Sequence, residues 1–239
     1  MIDKVSLVIM NWLRPDVLKN MLEQLVEYET IDEVIISHGR EDTYFEFDNA
    51  KVVNEKHWGN INEQFGLSRR FLSASQAKNE VILMIDDDEY PSEEYVKKLL
   101  KKYNENPRRL YGRFGRNLKK GNYNLHQRYG DVCVLITKCI LFNKELCAEF
   151  FKHKDSVMHI IEKGKPLWNG EDVFMSAIAC NFYGTNNYCV DGSGWINPID
   201  GRENKRSRSV SSWKNHRWFR TELVHFCAKH FNIWDNYVK

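Results

Sequence analysis

The sequence lacks the features that would direct a chain into or across a membrane. No window approaches the roughly 18 consecutive apolar residues of a membrane-spanning helix. The amino-terminal run MIDKVSLVIMNW turns polar too early to be a signal peptide. The 6 cysteines include no C-x-x-C pair, so no zinc site is indicated, and most stand in apolar runs, as buried free thiols do. These absences predict a soluble, cytoplasmic chain.

The sequence also lacks an excess of charge of one sign, because the formal net charge is only +2. A near-balanced charge gives no whole-protein field that would attract nucleic acid. The sequence contains no internal repeat and no low-complexity block. The hydrophobic share of 42% is sufficient for a core, which excludes an intrinsically disordered protein. At 239 residues, one large domain is expected.

The first hundred residues alternate between short apolar runs and amphipathic segments. The predicted strands cover residues 5–10, 34–37, 51–54 and 81–85, and the predicted helices cover residues 15–25, 65–77 and 92–103. This alternation is typical of an α/β fold in which helices flank a mostly parallel central sheet. Ligands bind to such sheets beyond the carboxyl ends of the strands.

The second half of the sequence is less regular. The predicted strands cover residues 110–116 and 132–137, and the predicted helices cover residues 144–153, 155–163, 169–182 and 213–234. KKGNYN predicts a turn, and the polar residues 201–212 predict a mobile segment. We therefore predict a single domain over 1–239, composed of a first half (1–105), a second half (106–200) and a basic, partly mobile carboxyl-terminal segment (201–239).

The stretch VILMIDDDEYPS, residues 81–92, places three aspartates directly after the most apolar predicted strand. Adjacent carboxylates make each other harder to ionise unless a cation neutralises them. A hard divalent metal does so with oxygen ligands. A solvated acidic turn leading to a Ser92 helix cap is the alternative. Because the strand end is also where ligands bind, the Asp-x-Asp pattern favours a metal site.

Two classes of enzyme place Asp-x-Asp after a strand of an α/β fold. In phosphoaspartyl (HAD-like) phosphatases the first aspartate is a nucleophile. In metal-dependent glycosyltransferases the carboxylates hold a metal against a nucleotide diphosphate, which is the leaving group. GKPLWNGED carries a Lys-Pro and an acidic pair like those of the phosphatases, but their nucleophile follows the first core strand. A nucleotidyltransferase is disfavoured because NWLRPD has no glycine-rich loop.

Five segments follow one another in a recognisable order: SLVIMNWLRPDVLKNMLEQL, GLSRRFLSAS, VILMIDDDEYPSEEYV, NGEDVFMSAIACN and WKNHRWF. Together they resemble the GT-A-fold glycosyltransferases, most closely the exostosin-type family that builds heparan-sulfate chains. In that family the corresponding segments are the opening strand and helix, a nucleotide-facing arginine, the metal motif, a second acidic motif and a His-Arg segment. The resemblance touches most of the chain.

The resemblance implies site residues, which we state as predictions. The metal ligands would be Asp88 and Asp86. The nucleotide-binding residues would be Arg14, Ser37, His38, Arg70, Asp86 and Asp87. The catalytic residues would be Asp172, Glu171 and Arg217. The acceptor-binding residues would be Trp168, Trp195 and His216. Each also has a structural alternative: a solvated or paired arginine, a helix-terminal charge or a core tryptophan.

The resemblance further implies the cofactor and substrates. The cofactor would be Mn²⁺ or Mg²⁺, the donor a UDP-sugar bound by the first half, and the acceptor a glycan or glycoprotein bound by the second half. Exostosin-type enzymes are anchored in the membranes of the secretory pathway, whereas this sequence shows no anchor. A soluble microbial or viral relative is therefore expected. Retention and inversion of the anomeric configuration both stay open.

Basic residues are concentrated near the carboxyl terminus. Between Arg202 and Arg220 there are 7 lysines and arginines against the single acid Glu203. A mobile basic segment could close over a diphosphate and exclude water. Binding of nucleic acid is the alternative, because Trp213, Trp218 and Phe219 stand among the basic residues.

Overall fold

The computed structural model describes residues 1–119, 121–161, 169–197 and 216–235, without the side chains of residues 62 and 158–161. The helices are α1 Pro15–Leu25, α2 Asn60–Phe65, α3 Arg69–Ser75, α4 Glu93–Glu105, α5 Glu145–Ile161, α6 Glu171–Tyr183 and α7 His216–Phe231. The strands are β1 Val5–Asn11, β2 Ile31–His38, β3 Val52–Lys56, β4 Val81–Ile85, β5 Tyr90–Pro91, β6 Tyr111–Gly112, β7 Gly115–Arg116, β8 Leu118–Lys119, β9 Asn122–Tyr123, β10 Gly130–Val132, β11 Val134–Leu135, β12 Cys139–Asn143, β13 Asn187–Cys189 and β14 Trp195–Ile196.

The central sheet contains eight of these strands in the order β10-β13-β6-β12-β4-β1-β2-β3. The strands from β4 to β3 are parallel, and β12 runs antiparallel between β4 and β6. Strands from both predicted halves therefore share one sheet. The prediction of an α/β fold with a mostly parallel central sheet is confirmed.

The strand order creates a crevice beside β1. The chain leaves β1 toward β2 and β3 on one side, and later places β4 on the other side. Such a reversal opens a crevice at the carboxyl ends of the strands. Ile9 pairs with Ile85 across β1 and β4, so Trp12 and Asp86 follow at the same edge. Because β12 is antiparallel to β4, with Cys139 paired to Ile85, the amino end of β12 lies at the same edge of the sheet.

Helices cover both faces of the sheet. On one face, α1 and α4 bury side chains such as Leu18 and Leu99. On the other, α3, α5 and α6 share a phenylalanine cluster, in which the Phe71 and Phe150 ring centroids lie 4.5 Å apart and those of Phe150 and Phe174 lie 5.0 Å apart. Burial on both faces makes β4 wholly inaccessible to solvent, so the aspartates that follow it emerge from a close-packed core.

Two predictions about thiols and membranes can be compared with the structure. The 6 cysteines are buried and free, as the sequence predicted. In the described ranges, no helix has both the length and the apolar character needed to cross a bilayer.

The second half departs from the predicted elements. Residues 110–116 contain the separate strands β6 and β7, with Arg113 and Phe114 between them. Residues 132–137 contain the last residue of β10 and the whole of β11, whereas the longer strand of this region, β12, had not been predicted. The apolar run VCVLITKCILF continues almost unbroken through both strands, so hydrophobicity alone could not locate the turn at Lys138.

The predicted helices also change their bounds. The helices expected at 144–153 and 155–163 are the single helix α5 as far as Ile161, and residues 162–163 lie outside the described ranges. The helix expected at 65–77 is α3, preceded by α2 and a short 3₁₀ turn. The strands β13 and β14 had not been predicted, because their two or three residues carry too short a pattern.

Gly170 allows α7 to pack against the start of α6. Its φ is 108°, in the left-handed region that side chains disfavour. A Cβ atom at this position would stand 2.5 Å from Leu223 Cδ2 and 3.2 Å from Phe219 Cε1. Both the backbone conformation and the packing against α7 therefore require glycine.

We expect Gly170→Ala to lower the free energy of unfolding by about 2–5 kcal/mol, because backbone strain adds to overpacking. Gly184→Ala, at the other end of α6, is the matched control. Gly184 has φ 69°, but a Cβ atom added there would meet no other atom within 4 Å, so the loss should be only about 1–2 kcal/mol. Urea unfolding measures both variants, and equal losses would contradict the packing argument.

Candidate active site

A cleft of about 540 Å³ opens at the carboxyl ends of β1 and β4. Asp86, Asp87 and Asp88 line one wall, and Glu171 and Asp172 line the other. The fold thus brings together the two acidic motifs that the sequence singled out. A larger cavity, of about 930 Å³, lies at the amino ends of β1 and β2. It contains none of the predicted site residues, so the smaller cleft is the candidate site.

The first two aspartates after β4 are held by basic side chains. Asp86 Oδ1 accepts a hydrogen bond from Arg70 Nη1 at 3.1 Å. Asp87 Oδ1 accepts one from Arg14 Nη1 at 2.6 Å, and its Oδ2 accepts one from the Trp12 backbone N–H at 3.4 Å. Asp87 therefore ties the turn after β4 to the turn after β1.

Asp88 is the aspartate whose hydrogen bonding is incomplete. Its Oδ2 lies 3.3 Å from Arg14 Nη1. Its Oδ1 is buried and accepts no hydrogen bond from the described residues. Burial, together with the charge of Asp86, raises the pKa of Asp88 to about 6. A buried oxygen without a donor, beside other carboxylates, suits a hard cation.

The donor set fits Mn²⁺ or Mg²⁺ in combination with a substrate. Across the part of the chain that the structure describes, no three His, Cys, Asp or Glu side chains converge on one metal position. Asp88 and Asp86 can offer one or two oxygen ligands. Ions of this kind are commonly bound by one or two carboxylates together with substrate phosphates and water. The residues therefore fit a metal that binds together with a diphosphate.

The opposite wall is the first turn of α6. Glu171 and Asp172 are only 4% and 3% exposed. Glu171 Oε1 accepts a hydrogen bond from the Thr137 hydroxyl at 3.0 Å. Asp172 Oδ1 accepts one from the Val173 backbone N–H at 2.8 Å, and its Oδ2 pairs with Arg220 Nη2. The helix amino terminus favours both negative charges.

Glu171 has the protonation behaviour of a group that can exchange a proton near neutral pH. Burial, followed by the charge of Asp172, raises the pKa of Glu171 to about 7, although Arg70, Arg220 and the Thr137 hydrogen bond oppose the shift. A carboxyl group with a pKa near the working pH is well matched to general acid–base chemistry.

The helix α7 turns Arg220, rather than the predicted Arg217, toward the cleft. Arg220 is buried and also donates to Asn169 Oδ1 at 3.3 Å and to the Tyr123 hydroxyl at 3.2 Å. Arg217 is exposed, does not line the cleft, and donates from Nε to the Tyr123 carbonyl at 3.3 Å. The sequence showed both arginines in one basic run but not the rotation of the helix.

His216 does line the cleft. The Asn169 amide lies 2.9 Å from its Nδ1, so Nδ1 accepts that hydrogen bond. Burial, together with the charge of Arg220, lowers the pKa of His216 to about 4. His216 is therefore neutral at physiological pH and adds no positive charge to the cleft.

Ser37 and His38 lie at the carboxyl end of β2, but neither lines the cleft. Both are fully buried. The His38 ring lies 2.9 Å from the Asn11 amide and 3.3 Å from Asn54 Oδ1. Burial lowers the pKa of His38 to about 4. The structure thus buries these two residues, for which the sequence had predicted contact with the nucleotide.

Trp195 lies behind the aspartates rather than in the cleft. Its strand β14 pairs with β5, its indole N–H donates to the Glu89 carboxylate, and its ring packs 5.0 Å from that of Phe114. Trp168 lies outside the described residues, as do residues 198–215, which include 5 of the 7 basic residues between Arg202 and Arg220. The cleft also contains residues that the sequence had not singled out for a role: Tyr123, Lys138, Asn169 and Arg220.

A mostly parallel α/β sheet that carries a triple aspartate at its reversal point and a second acidic pair across the cleft is the arrangement of a GT-A glycosyltransferase. The family model described as "Glycosyl transferase family 64 domain" matches residues 5–237, so the chain belongs to that family. Membership disfavours the phosphatase alternative, as does the position of the aspartates after the fourth strand rather than the first. No curated protein sequence gives a significant match.

A solved structure with a similar fold is the mannosyltransferase PcManGT from Pyrobaculum calidifontis, in complex with GDP-Man and Mn²⁺. The TM-score is 0.59 at 10% sequence identity, and the alignment covers 97% of this chain and 65% of that chain. This chain therefore spans slightly less than two thirds of that protein. At such low identity the likeness concerns the fold, which is the GT-A fold.

We expect Arg220→Ala to destabilise the fold by about 3–5 kcal/mol, because the Asp172 carboxylate would stay buried without its partner. Arg217→Ala is the control on the same helix and should change the free energy of unfolding by no more than about 0.5 kcal/mol, since Arg217 is exposed. Denaturant unfolding compares the two. A larger loss in Arg217→Ala would contradict this arrangement of α7.

Proposed function

We propose that the chain transfers a sugar from a nucleoside-diphosphate sugar to a hydroxyl of a glycan or glycoprotein, with Mn²⁺ or Mg²⁺ held at Asp88. One observation carries the proposal. The incompletely hydrogen-bonded Asp88 and the buried Glu171–Asp172 pair face the same cleft. The first suits a metal-bound diphosphate, and the second suits proton and charge transfer at the sugar.

On the donor side, Asp88 and Asp86 would hold the metal, whose chemistry is to stabilise negative charge on the departing diphosphate. Asp87 positions their turn through Arg14. Arg70 lies between the two acidic walls: although burial opposes it, the charges of Asp86, Glu171 and Asp172 raise its pKa. Arg14 and Arg70 are thus held as cations where phosphate groups would bind.

For the donor we propose a chemical class, a nucleoside-diphosphate sugar, rather than one particular nucleotide. The family resemblance implies a UDP-sugar, whereas the similar mannosyltransferase was solved with GDP-Man. Both are nucleoside diphosphates joined to a sugar, and the aspartates and arginines would bind the part that they share. The residues that distinguish one nucleotide base from another would lie outside this charged cluster.

On the acceptor side, Glu171 would accept the proton of the attacking hydroxyl, and Arg220 would hold the Asp172 carboxylate beside the transferred sugar. Both acids lie in the first turn of α6, so one helix positions them together. The mouth of the cleft would contact the acceptor through His216 and through Leu125, which is 57% exposed. Leu125 offers an apolar surface to the C–H face of a sugar.

We expect UDP or GDP to bind at least about tenfold more tightly with Mn²⁺ than with EDTA, because metal and diphosphate complete one coordination shell. Asp88→Asn should remove this difference. Asp16→Asn is the control, since the Asp16 side chain is 93% exposed on α1. Calorimetric titration of both nucleotides measures the effect. Equal binding with and without the metal would contradict the proposed donor site.

We expect Glu171→Gln to lower kcat by about 10²–10⁴-fold while nucleotide affinity is kept, because the variant cannot accept a proton. In the wild type, kcat/KM should fall as the pH falls through about 7, where Glu171 becomes protonated. The variant should lack this decline. Initial rates of sugar transfer across pH 5–9 compare the two enzymes, and a variant that keeps the wild-type rate and profile would rule out Glu171 as the base.

A further inference from the structure

Lys138 reaches the metal-binding aspartates because of the register of β12. Cys139, the first residue of that strand, pairs with Ile85, the last residue of β4. Lys138 immediately precedes Cys139, and Asp86 immediately follows Ile85. The antiparallel pairing therefore places the lysine directly beside the start of the aspartate motif, and its side chain lines the cleft.

Lys138 is anchored beside Asp88 rather than bonded to it. Its Nζ lies 2.9 Å from Glu89 Oε1, 5.6 Å from the centroid of the Phe114 ring and 3.8 Å from Asp88 Oδ1. Glu89 is itself fixed by the Trp195 indole N–H. The ammonium group is thus held close to Asp88 Oδ1 while leaving this buried oxygen without a hydrogen bond.

The position of this charge has two consequences. A divalent cation held by Asp88 Oδ1 would share its surroundings with the Lys138 ammonium, and two cations so close repel each other. The same ammonium is an additional positive charge for a diphosphate in the cleft. Lysine suits both roles, because its flexible stem lets a compact charge change partners.

We propose that Lys138 is a protein-borne cation of the diphosphate site, which opposes metal binding at Asp88 and binds the diphosphate itself when the metal is absent. The inference rests on the proposed function. It assigns to one lysine two effects of opposite sign, which loss of structure at this position would not produce together.

The test compares Lys138→Met, Lys138→Arg and the control Lys144→Met. Lys144 immediately follows the carboxyl end of β12, away from the cleft, and its Nζ lies 3.1 Å from Glu80 Oε1. In Mn²⁺ titrations without nucleotide, followed by electron paramagnetic resonance, Lys138→Met should bind the metal at least about fivefold more tightly than the wild type, since a nearby positive charge is removed. With EDTA present, the same variant should bind UDP or GDP at least about fivefold more weakly. Lys138→Arg keeps the charge and should restore both values.

The outcomes separate this inference from the proposed function. If Asp88→Asn loses Mn²⁺ binding while Lys138→Met has wild-type or weaker Mn²⁺ affinity, Lys138 only neutralises Glu89; the inference fails and the proposed metal site stands. If neither the wild type nor Lys138→Met binds Mn²⁺, with or without UDP or GDP, both fail. Changes of the same size in Lys144→Met would also overturn the inference, because the effect would not be local.

Discussion

The neutralisation of adjacent carboxylates at the end of a buried strand is the constraint on which the rest of the site depends. Without nearby cations, the adjacent carboxylates from Asp86 to Glu89 would repel one another and destabilise a compact turn. Arg14, Arg70 and Lys138 supply them, from the start of α1, from α3 and from the turn before β12. Three separate elements of the fold must therefore meet where β4 ends.

One of these cations, Arg70, couples the two walls of the cleft. Arg70 donates to Asp86, yet the charges of Glu171 and Asp172 also act on it. Arg220 neutralises Asp172 from the far side and also donates hydrogen bonds to Asn169 and Tyr123. A change of charge at Asp86 would consequently alter the electrostatic environment of Glu171 and Asp172.

The sequence predicted the parts of the fold that depend on local pattern. The apolar strand before Asp86, the acidic start of α6 and the alternation of strands and helices are all visible in residue order. Together they predicted a ligand site beyond the carboxyl ends of the strands, which is where the structure has the cleft. Their success reflects strong periodicity, which tertiary contacts reinforce rather than override.

The remaining features depend on contacts between distant segments. Whether Arg217 or Arg220 enters the cleft depends on how α7 is rotated against α6. The location of Trp195 depends on the pairing of β14 with β5, which joins residues about a hundred positions apart. His38 is buried by a loop whose Tyr44 and Phe45 rings pack against it. None of these arrangements has a signature within a short window of sequence.

The charge balance of the cleft explains why the metal site is incomplete by itself. Among the residues that line the cleft, with every acid ionised and His216 neutral, 5 carboxylates face 5 cationic side chains, namely Arg14, Arg70, Arg116, Lys138 and Arg220. A divalent metal alone would leave this balance positive, and a diphosphate alone would leave it negative. The two together preserve it. A cleft with these residues is therefore suited to bind metal and diphosphate jointly, and a third protein carboxylate at the metal would upset the balance that makes joint binding favourable.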